Sequence, residues 1–361
     1  MKNNHSEIFT PGSIIGIMGG GQLGRMTALA AANLGYRCHI YTDEINTPAA
    51  QVSEQVTVAS YEDIEALTQF AETVDLITYE FENIPLSTAN LLSQLKVLRP
   101  SPSVLAISQH RAYEKDFAIQ NGVRVAPYKA IKGIDDLEPA VKMLGTPCVL
   151  KTCRFGYDGK GQIKINSFDE IEPAWNQLCG HDLVLEKFIK FEREISVIVA
   201  RDVNHHTKVY QPVENRHVNH ILDTTIVPAN ITEKTTNLAT TMSLMLANSL
   251  NLIGLLAVEM FVMEDESVIM NEIAPRPHNS GHWTQDGSQT SQFEQFVRAI
   301  TGQPLGETGM IRPITMKNLI GNAIDQVPVF FNDSNAKIHL YGKAEVRPGR
   351  KMGHINIITK N

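Results

Sequence analysis

Two glutamates in the segment GLLAVEMFVMEDESVIMNEIAPR, Glu259 and Glu272, have the spacing that speaks most directly of chemistry. Residues 254–262 and 268–273 read as the two strands of a hairpin, and the centre of MEDESV falls between Asp265 and Glu266. A symmetric hairpin sets Glu259 and Glu272 opposite each other among apolar neighbours. Like charges facing across a sheet repel, and burial worsens the conflict. A hard divalent cation removes it, and carboxylates completed by substrate phosphates are a common way of holding Mg²⁺. Asn271 offers a further oxygen. A slipped register with one glutamate facing solvent is the plainer alternative.

The loop APRPHNSGHWT follows the second strand and carries Arg276, His278 and Asn279. An arginine here suits a small oxyanion such as bicarbonate or carboxyphosphate. His278 is placed to bind or position an amine-bearing substrate. The bland alternative is that Arg276 pairs with a glutamate and His278 caps the loop. His282 and Trp283 read as packing residues.

Upstream, Lys151 ends an apolar strand and runs into TCRFGYDGKGQ, where Gly156, Gly159 and Gly161 flank Tyr157, Asp158 and Lys160. A lysine beside a mobile glycine loop can meet triphosphate charge while the loop closes over it. The GK[ST] ending of a Walker A loop is missing, and a surface hairpin with an incidental lysine remains open. Lys115, on a helix, can reach the same phosphates, although alone it reads more often as a surface lysine. In LVLEKFIKFEREI, Glu186 closes a strand and can accept from an adenine amine. The linker Lys187, Phe188, Ile189 offers backbone groups to the base, and Glu194 can accept from ribose hydroxyls. Exposed strand-end glutamates are the alternative for both acids.

At the start of the chain, Gly19, Gly21 and Gly24 satisfy GxGxxG between a strand and a helix, with Gln22 and Leu23 inside the motif. Amides at a helix N-terminus suit a phosphate, of cofactor or of substrate. A tight turn that only permits close packing is the other reading. Glu80, in an acidic cluster with Glu82 and Asn83, follows a third strand at the place where open α/β sheets bind ligands. At the far end, GKAEVRPGRKMGH carries Lys343, Arg347, Arg350 and Lys351 against the single acid Glu345. This is local anion-binding character, or else a solvated turn.

These residues need elements to hold them. Residues 14–18, 36–41 and 75–79 predict strands, with a helix from Gly24 to Leu34, the opening of a doubly wound sheet. Pro100 and Pro102 mark a boundary. A helix over 106–120 opens a second block, followed by strands at 147–151, 162–165, 183–186, 194–200 and 207–210. A long helix over 232–250, the hairpin and a helix near 288–300 complete it. The stretch from about Met310 is too small to stand alone and is expected to pack on the rest. The expected domains are 1–103, Rossmann-like; 104–309, with a mobile lid at about 125–187; and 310–361, small.

The 361 residues carry a formal net charge of −7, which argues against a nucleic-acid footprint over the whole surface. No run approaches a membrane span. The N-terminal MKNNHSEIF lacks the apolar stretch of a signal peptide, and Cys38, Cys148, Cys153 and Cys179 form no disulfide or metal spacing, so a reducing cytoplasm is expected.

GGGQLGRM, TYEFENIP, RFGYDGKGQ, NEIAPRPHNSGHWT, TSQFEQ and HLYGK…RPGRKMGH together resemble the 5-(carboxyamino)imidazole ribonucleotide synthase family of the ATP-grasp group, over nearly the whole chain from Ser13. The resemblance implies an ATP-grasp fold and carboxylation of 5-aminoimidazole ribonucleotide with ATP, bicarbonate and Mg²⁺, Mn²⁺ substituting, through carboxyphosphate. It implies that Arg111, Lys115, Lys151, Glu186, Glu194 and His217 hold the nucleotide. Glu259 and Glu272 would hold the metal, with Asn271 beside them. Tyr157, Asp158, Arg276, His278 and Asn279 would approach the substrate base or bicarbonate, Asp158 orienting the amine or taking its proton. The ribose phosphate would meet Gly21, Gln22, Leu23 and the basic tail. A homodimer and a hand-off to a downstream mutase are further expectations. Cys153 departs from the arginine common in this family and is expected to alter loop contacts. A formate-using transformylase of the same group, a nicotinamide oxidoreductase and a non-catalytic nucleotide module are the competing readings.

Overall fold

The computed structural model describes residues 7–156 and 159–359. Five parallel strands form the first sheet: β1 (Ile14–Met18), β2 (Arg37–Thr42), β3 (Gln55–Val58), β4 (Leu76–Tyr79) and β5 (Val97–Leu98). Their order is β3-β2-β1-β4-β5. The apolar run of β1 is almost wholly buried, as expected for a central parallel strand covered on both faces. Helix α1 (Gln22–Asn33) follows β1, and α2 (Ile64–Glu72) and α3 (Leu86–Leu95) flank the later strands. The strand order reverses between β1 and β4, so the Gly19–Gly24 loop and Glu80 lie side by side at the carboxyl edge, where such sheets form a crevice.

The expected helix over 106–120 is two helices, α4 (Pro102–Ser108) and α5 (Arg111–Gln120), interrupted at Gln109 and His110. Gln109 is drawn off to cap loop carbonyls, donating to Glu82 and Ile84. The break re-aims α5 toward the hairpin.

Residues 128–187 hold a four-stranded sheet: β6 (Tyr128–Ile131), β7 (Cys148–Thr152), β8 (Gln162–Ile165) and β9 (Leu183–Lys187), in the order β6-β9-β7-β8. A five-residue linker leads from β9 to β10 (Arg193–Arg201), which enters a nine-stranded sheet with β11 (Thr207–Val209), β12 (Val213–Val218), β13 (Ile221–Val227), β14 (Gly254–Val262), β15 (Val268–Ala274), β16 (Ile314–Ile320), β17 (Ala336–Leu340) and β18 (Lys351–Ile358). The C-terminal strands are not merely packed on the rest. β16 pairs antiparallel with β13, so β16, β17 and β18 extend the large sheet. One apolar core joins the first sheet to the large one, from Ile15 and Ile17 through Phe296 and Ile300 to Ile314 and Met316. The helix Gln292–Thr301 contributes to that core. It starts where the Ser291 hydroxyl accepts from Glu294 N and stops at Gly302, whose φ of +78° suits glycine.

Candidate active site

Glu259 does face Glu272, but a symmetric turn is not the reason. Val262 pairs with Val268, Phe261 with Ile269 and Met260 with Met270, which centres the hairpin on Asp265. Continued unchanged, that register would set Glu259 against Asn271. A bulge between Met270 and Glu272 makes Asn271 the extra residue and brings Glu272 opposite Glu259. Burial and the neighbouring Glu272 charge both push the Glu259 carboxyl above its ordinary range. Arg111 answers one side of the pair, its Nη1 lying 3.1 Å from Glu272 Oε2. Among the described residues no group of three or more His, Cys, Asp or Glu side chains is gathered for a metal. Two facing carboxylates are nonetheless the donor set that suits Mg²⁺ when substrate phosphates complete the shell.

His278 answers the other side. Its Nε2 lies 3.2 Å from Glu259 Oε1, and its Nδ1 accepts from Ser280 N at 3.3 Å. Burial, then the Arg276 and Lys351 charges, hold its pKa down at about 3. With Nδ1 accepting, Nε2 is the ring nitrogen that meets Glu259. Both nitrogens are therefore engaged, and the loop-capping role weighed from the sequence is present. Arg276 likewise makes the structural pair: Nε and Nη2 clamp both oxygens of Glu82, the latter at 2.9 Å, and Nη1 donates to the Pro277 carbonyl. Burial would raise the Glu82 pKa, but the Arg276 charge outweighs it and holds the carboxyl at about 2. Three of the five guanidinium N–H donors are used in this way. Asn279 differs, because its side-chain oxygen and nitrogen are both buried and without a hydrogen-bond partner. Such a group costs stability unless something else binds it.

Lys115 is no surface lysine. It is 1% exposed in its side chain, with Nζ 3.2 Å from Glu186 Oε1, while Lys151 Nζ lies 2.9 Å from Glu186 Oε2. Burial would raise the Glu186 pKa, but the Lys151, Lys115 and Arg111 charges hold it at about 2. Burial in turn lowers the Lys151 pKa, partly offset by Glu186. The Glu186 carboxylate is thus given to two lysines rather than left open for an adenine amine. In the linker, the Lys187 and Phe188 amides donate to the Pro127 and Pro147 carbonyls, so these two can offer a base only their own carbonyls. Ile189 is half-buried beside them. Glu194 and His217 form an ion pair across neighbouring strands. Burial lowers the His217 pKa, but the Glu194 contact outweighs it and raises it.

The glycine loop is already engaged. Glu80 Oε1 accepts from Gly21 N at 2.5 Å and Oε2 from Gly24 N at 2.8 Å. A Cβ on Gly19 or Gly21 would stand 2.4 Å from Glu80 atoms, so these glycines admit the Glu80 side chain. The amides expected to hold a phosphate hold this carboxylate, whose pKa burial raises. Leu23 is buried against Met26, Phe293 and Tyr341, and Gln22 beside it is half-buried. Of the basic tail, Lys343 is near enough to act on Glu80, and Lys351 near enough to act on Glu259 and His278. Arg350 instead donates to the Glu345 carbonyl at 3.2 Å.

In the glycine-rich loop, Tyr157 and Asp158 lie outside the described residues. Gly159 packs on His220, where a Cβ would come within 2.6 Å, and Lys160 lies beside it in the same turn. Cys153 is buried with Ala112 and Val184, and its neighbour Arg154 reaches Gln109 at 3.2 Å. Two residues at this site, Glu82 and Glu114, went unassigned from the sequence. The signals were the acidic cluster after β4 and the i, i+3, i+4 spacing of Arg111, Glu114 and Lys115 on α5.

Comparison with known proteins supplies a context for this geometry. Residues 13–109 match the ribonucleotide synthetase preATP-grasp domain, 116–293 the ATP-grasp domain, and 315–361 the phosphoribosylaminoimidazole carboxylase C-terminal domain. The N5-carboxyaminoimidazole ribonucleotide synthase of Brucella melitensis is 45% identical over 350 residues, covering 96% of this chain and 97% of the relative. A crystal structure of an N5-carboxyaminoimidazole ribonucleotide synthetase in complex with ADP superimposes with a TM-score of 0.96 at 44% identity, covering 99% and 95% of the two chains. The Aspergillus clavatus enzyme, solved with ADP and 5-aminoimidazole ribonucleotide, gives 0.91 at 30% identity, covering 97% and 94%.

Proposed function

The chain belongs to the N5-carboxyaminoimidazole ribonucleotide synthase family, with the ATP-grasp fold, and on that premise we propose which residues carry each part of its reaction. The protein is an ATP-dependent carbon–nitrogen ligase. It carboxylates the exocyclic amine of 5-aminoimidazole ribonucleotide with ATP and bicarbonate, giving the carboxyamino nucleotide, ADP and phosphate. The observation that carries the residue assignment is the Glu259–Glu272 pair joined through Arg111 and α5 to the buried Lys115–Glu186–Lys151 cluster.

Lys115 and Lys151 meet the ATP phosphates, Glu186 holding the two ammonium groups at a fixed spacing. Glu259 and Glu272 would hold Mg²⁺, or Mn²⁺ in its place, and the ion when bound would supply positive charge that stabilises the transferring phosphoryl group. Bicarbonate oxygen attacks the γ-phosphorus, and the carboxyphosphate formed must be kept from water. Residues 125–187 serve as the lid for this purpose, the glycine-rich loop closing at the Gly159–His220 contact. The Lys187–Ile189 linker borders the adenine, and Glu194 with His217 faces the ribose.

The remaining N–H donors of Arg276 hold bicarbonate or carboxyphosphate while Glu82 fixes the guanidinium plane. His278 steadies Glu259. The orphaned Asn279 amide meets the substrate, and Asp158 orients its amine or takes its proton. Glu80, held on the Gly21 and Gly24 amides, faces the substrate nucleotide, with Gln22, Leu23, Lys343, Arg350 and Lys351 toward its phosphate. The same reading divides the chain at 103 and 309 and makes the active form a homodimer that passes product to a downstream mutase.

Phosphate release measured with each substrate omitted in turn tests the activity. Release should require both aminoimidazole ribonucleotide and bicarbonate, and formate should not replace bicarbonate. Turnover sustained by formate with glycinamide ribonucleotide would overturn the reading.

A further inference from the structure

Strand β15 lies at the edge of the nine-stranded sheet. One side of its backbone therefore lacks a full ladder partner, and buried N–H and C=O groups there must find other partners. The segment after helix α5 supplies one, the Arg124 carbonyl accepting from Met270 N at 2.8 Å, and α5 itself supplies those around Glu272. Arg111, Glu114 and Lys115 stand at i, i+3 and i+4, one face of the helix. Lys115 Nζ donates to the Asn271 carbonyl at 3.4 Å, and Glu114 Oε1 accepts from Ile273 N at 2.5 Å. Arg111 Nη1 donates to the Glu272 carboxylate itself at 3.1 Å. Glu114 is 2% exposed and Ile273 5%, so water does not replace the Ile273 contact.

These contacts bracket one residue. Asn271 is the bulge that turns Glu272 toward Glu259, and Ile273 follows Glu272 directly. Fixing the carbonyl before Glu272 and the amide after it fixes the peptide planes on both sides of that residue. We propose that Glu114 is a positioning residue for the divalent-cation site: by accepting from Ile273 N, it holds the bulged register in which Glu259 and Glu272 converge. The proposal rests on the reading of that pair as the cation site. It assigns Glu114 through its acceptor atom and not through its charge, which separates it from a role in balancing Lys115.

The test measures ADP binding by calorimetry, with Mg²⁺ and with EDTA, for wild type, Glu114→Gln, Glu114→Ala and Glu272→Gln. Glutamine keeps the acceptor and removes the charge. The expected result is that Glu114→Ala cuts the Mg²⁺-dependent gain in ADP affinity by about tenfold or more, in the range of outer-shell ligand losses. ADP affinity in EDTA should stay within about twofold, and Glu114→Gln should keep the gain. If the alanine variant does not fold, Glu114→Met, which keeps the volume and removes the acceptor, takes its place. Equal losses with and without Mg²⁺, a full gain in Glu114→Ala, or a glutamine variant as defective as alanine would each overturn the proposal. The Glu272→Gln arm separates the two levels. If it keeps the Mg²⁺-dependent gain, the cation-pair reading itself fails. If it loses the gain while Glu114→Ala keeps it, only the Glu114 assignment fails.

Discussion

Replacing Glu186 by Gln should destabilise the unliganded protein strongly and make it unusually responsive to nucleotide. The carboxylate lies 3.2 Å from Lys115 Nζ and 2.9 Å from Lys151 Nζ, with side-chain exposures of 5%, 1% and 14% for the three residues. Two routes give the size of the effect. The fall of the Glu186 pKa from an ordinary 4.5 to about 2 corresponds to about 3 kcal/mol of favourable interaction. Leaving buried cations without their anion typically costs about 3–5 kcal/mol. For a chain of this size that lowers Tm by about 4–7 °C. Phosphates of ADP would restore negative charge between the same two lysines, so the Tm rise on saturation with ADP should be larger in the variant than in wild type by several degrees, roughly the part of the lost energy that ligand binding recovers. Differential scanning fluorimetry with and without ADP, at one fixed Mg²⁺ concentration, reads both quantities. A Tm within about 2 °C of wild type would refute the buried-charge account. A normal loss with an ADP-induced rise equal to wild type would mean that the phosphates do not meet these lysines.

Lys351→Ala should raise KM for aminoimidazole ribonucleotide far more than for the dephosphorylated nucleoside, while Arg350→Ala, whose guanidinium is turned to the Glu345 carbonyl, should show the smaller difference; steady-state kinetics on both substrates decides. Gly21→Ala sets a Cβ into the Glu80 carboxylate, so substrate KM should rise with ADP affinity unchanged by calorimetry, and a coupled loss of ADP affinity would count against a substrate role for that loop. The Glu82 pKa is depressed in the folded state to about 2. Its contribution, on the order of 3 kcal/mol, is present above about pH 4.5 and lost as the pH falls toward 2. Urea midpoints between pH 5 and pH 2.5 should therefore fall more steeply in wild type than in Glu82→Gln, and parallel slopes would refute the pairing.

The residues differ in how openly the sequence displays them. The strands at 162–165 and 254–262 have the predicted boundaries, because apolar runs between turn residues are local signals. The facing glutamates were also legible, although the bulge that aligns them was not, since a bulge depends on what grips the strand from outside. Lys115 reads as superficial in the sequence because nothing local announces a buried partner 71 positions later. The strands β12 and β13 are hidden in the sequence for two reasons. Their faces toward the site are polar, as in VENRHV, and their tight turn is built on Asn219 and His220 at φ of 51° and 65° rather than on glycine. Glu80 settling on the Gly21 and Gly24 amides needed two strands to become neighbours, a fact of topology rather than of motif.

The pairing of β16 with β13 bears on how freely the C-terminal segment can be exchanged. Ile314 to Lys317 lie in register with Val227 to Thr224, and Ile314 and Met316 enter the core that also holds Ile15 and Phe296. A transplanted segment from a relative would have to reproduce that register residue for residue, since a shift of one position turns every apolar side chain to the wrong face. Ending the chain before Ile314 would leave β13 with a bare row of backbone donors and acceptors, an invitation to pair with another molecule. Chimeras that join at the loop before Ile314 should therefore fail through aggregation before they fail in catalysis, whereas junctions within 188–192 would sever no ladder of the large sheet.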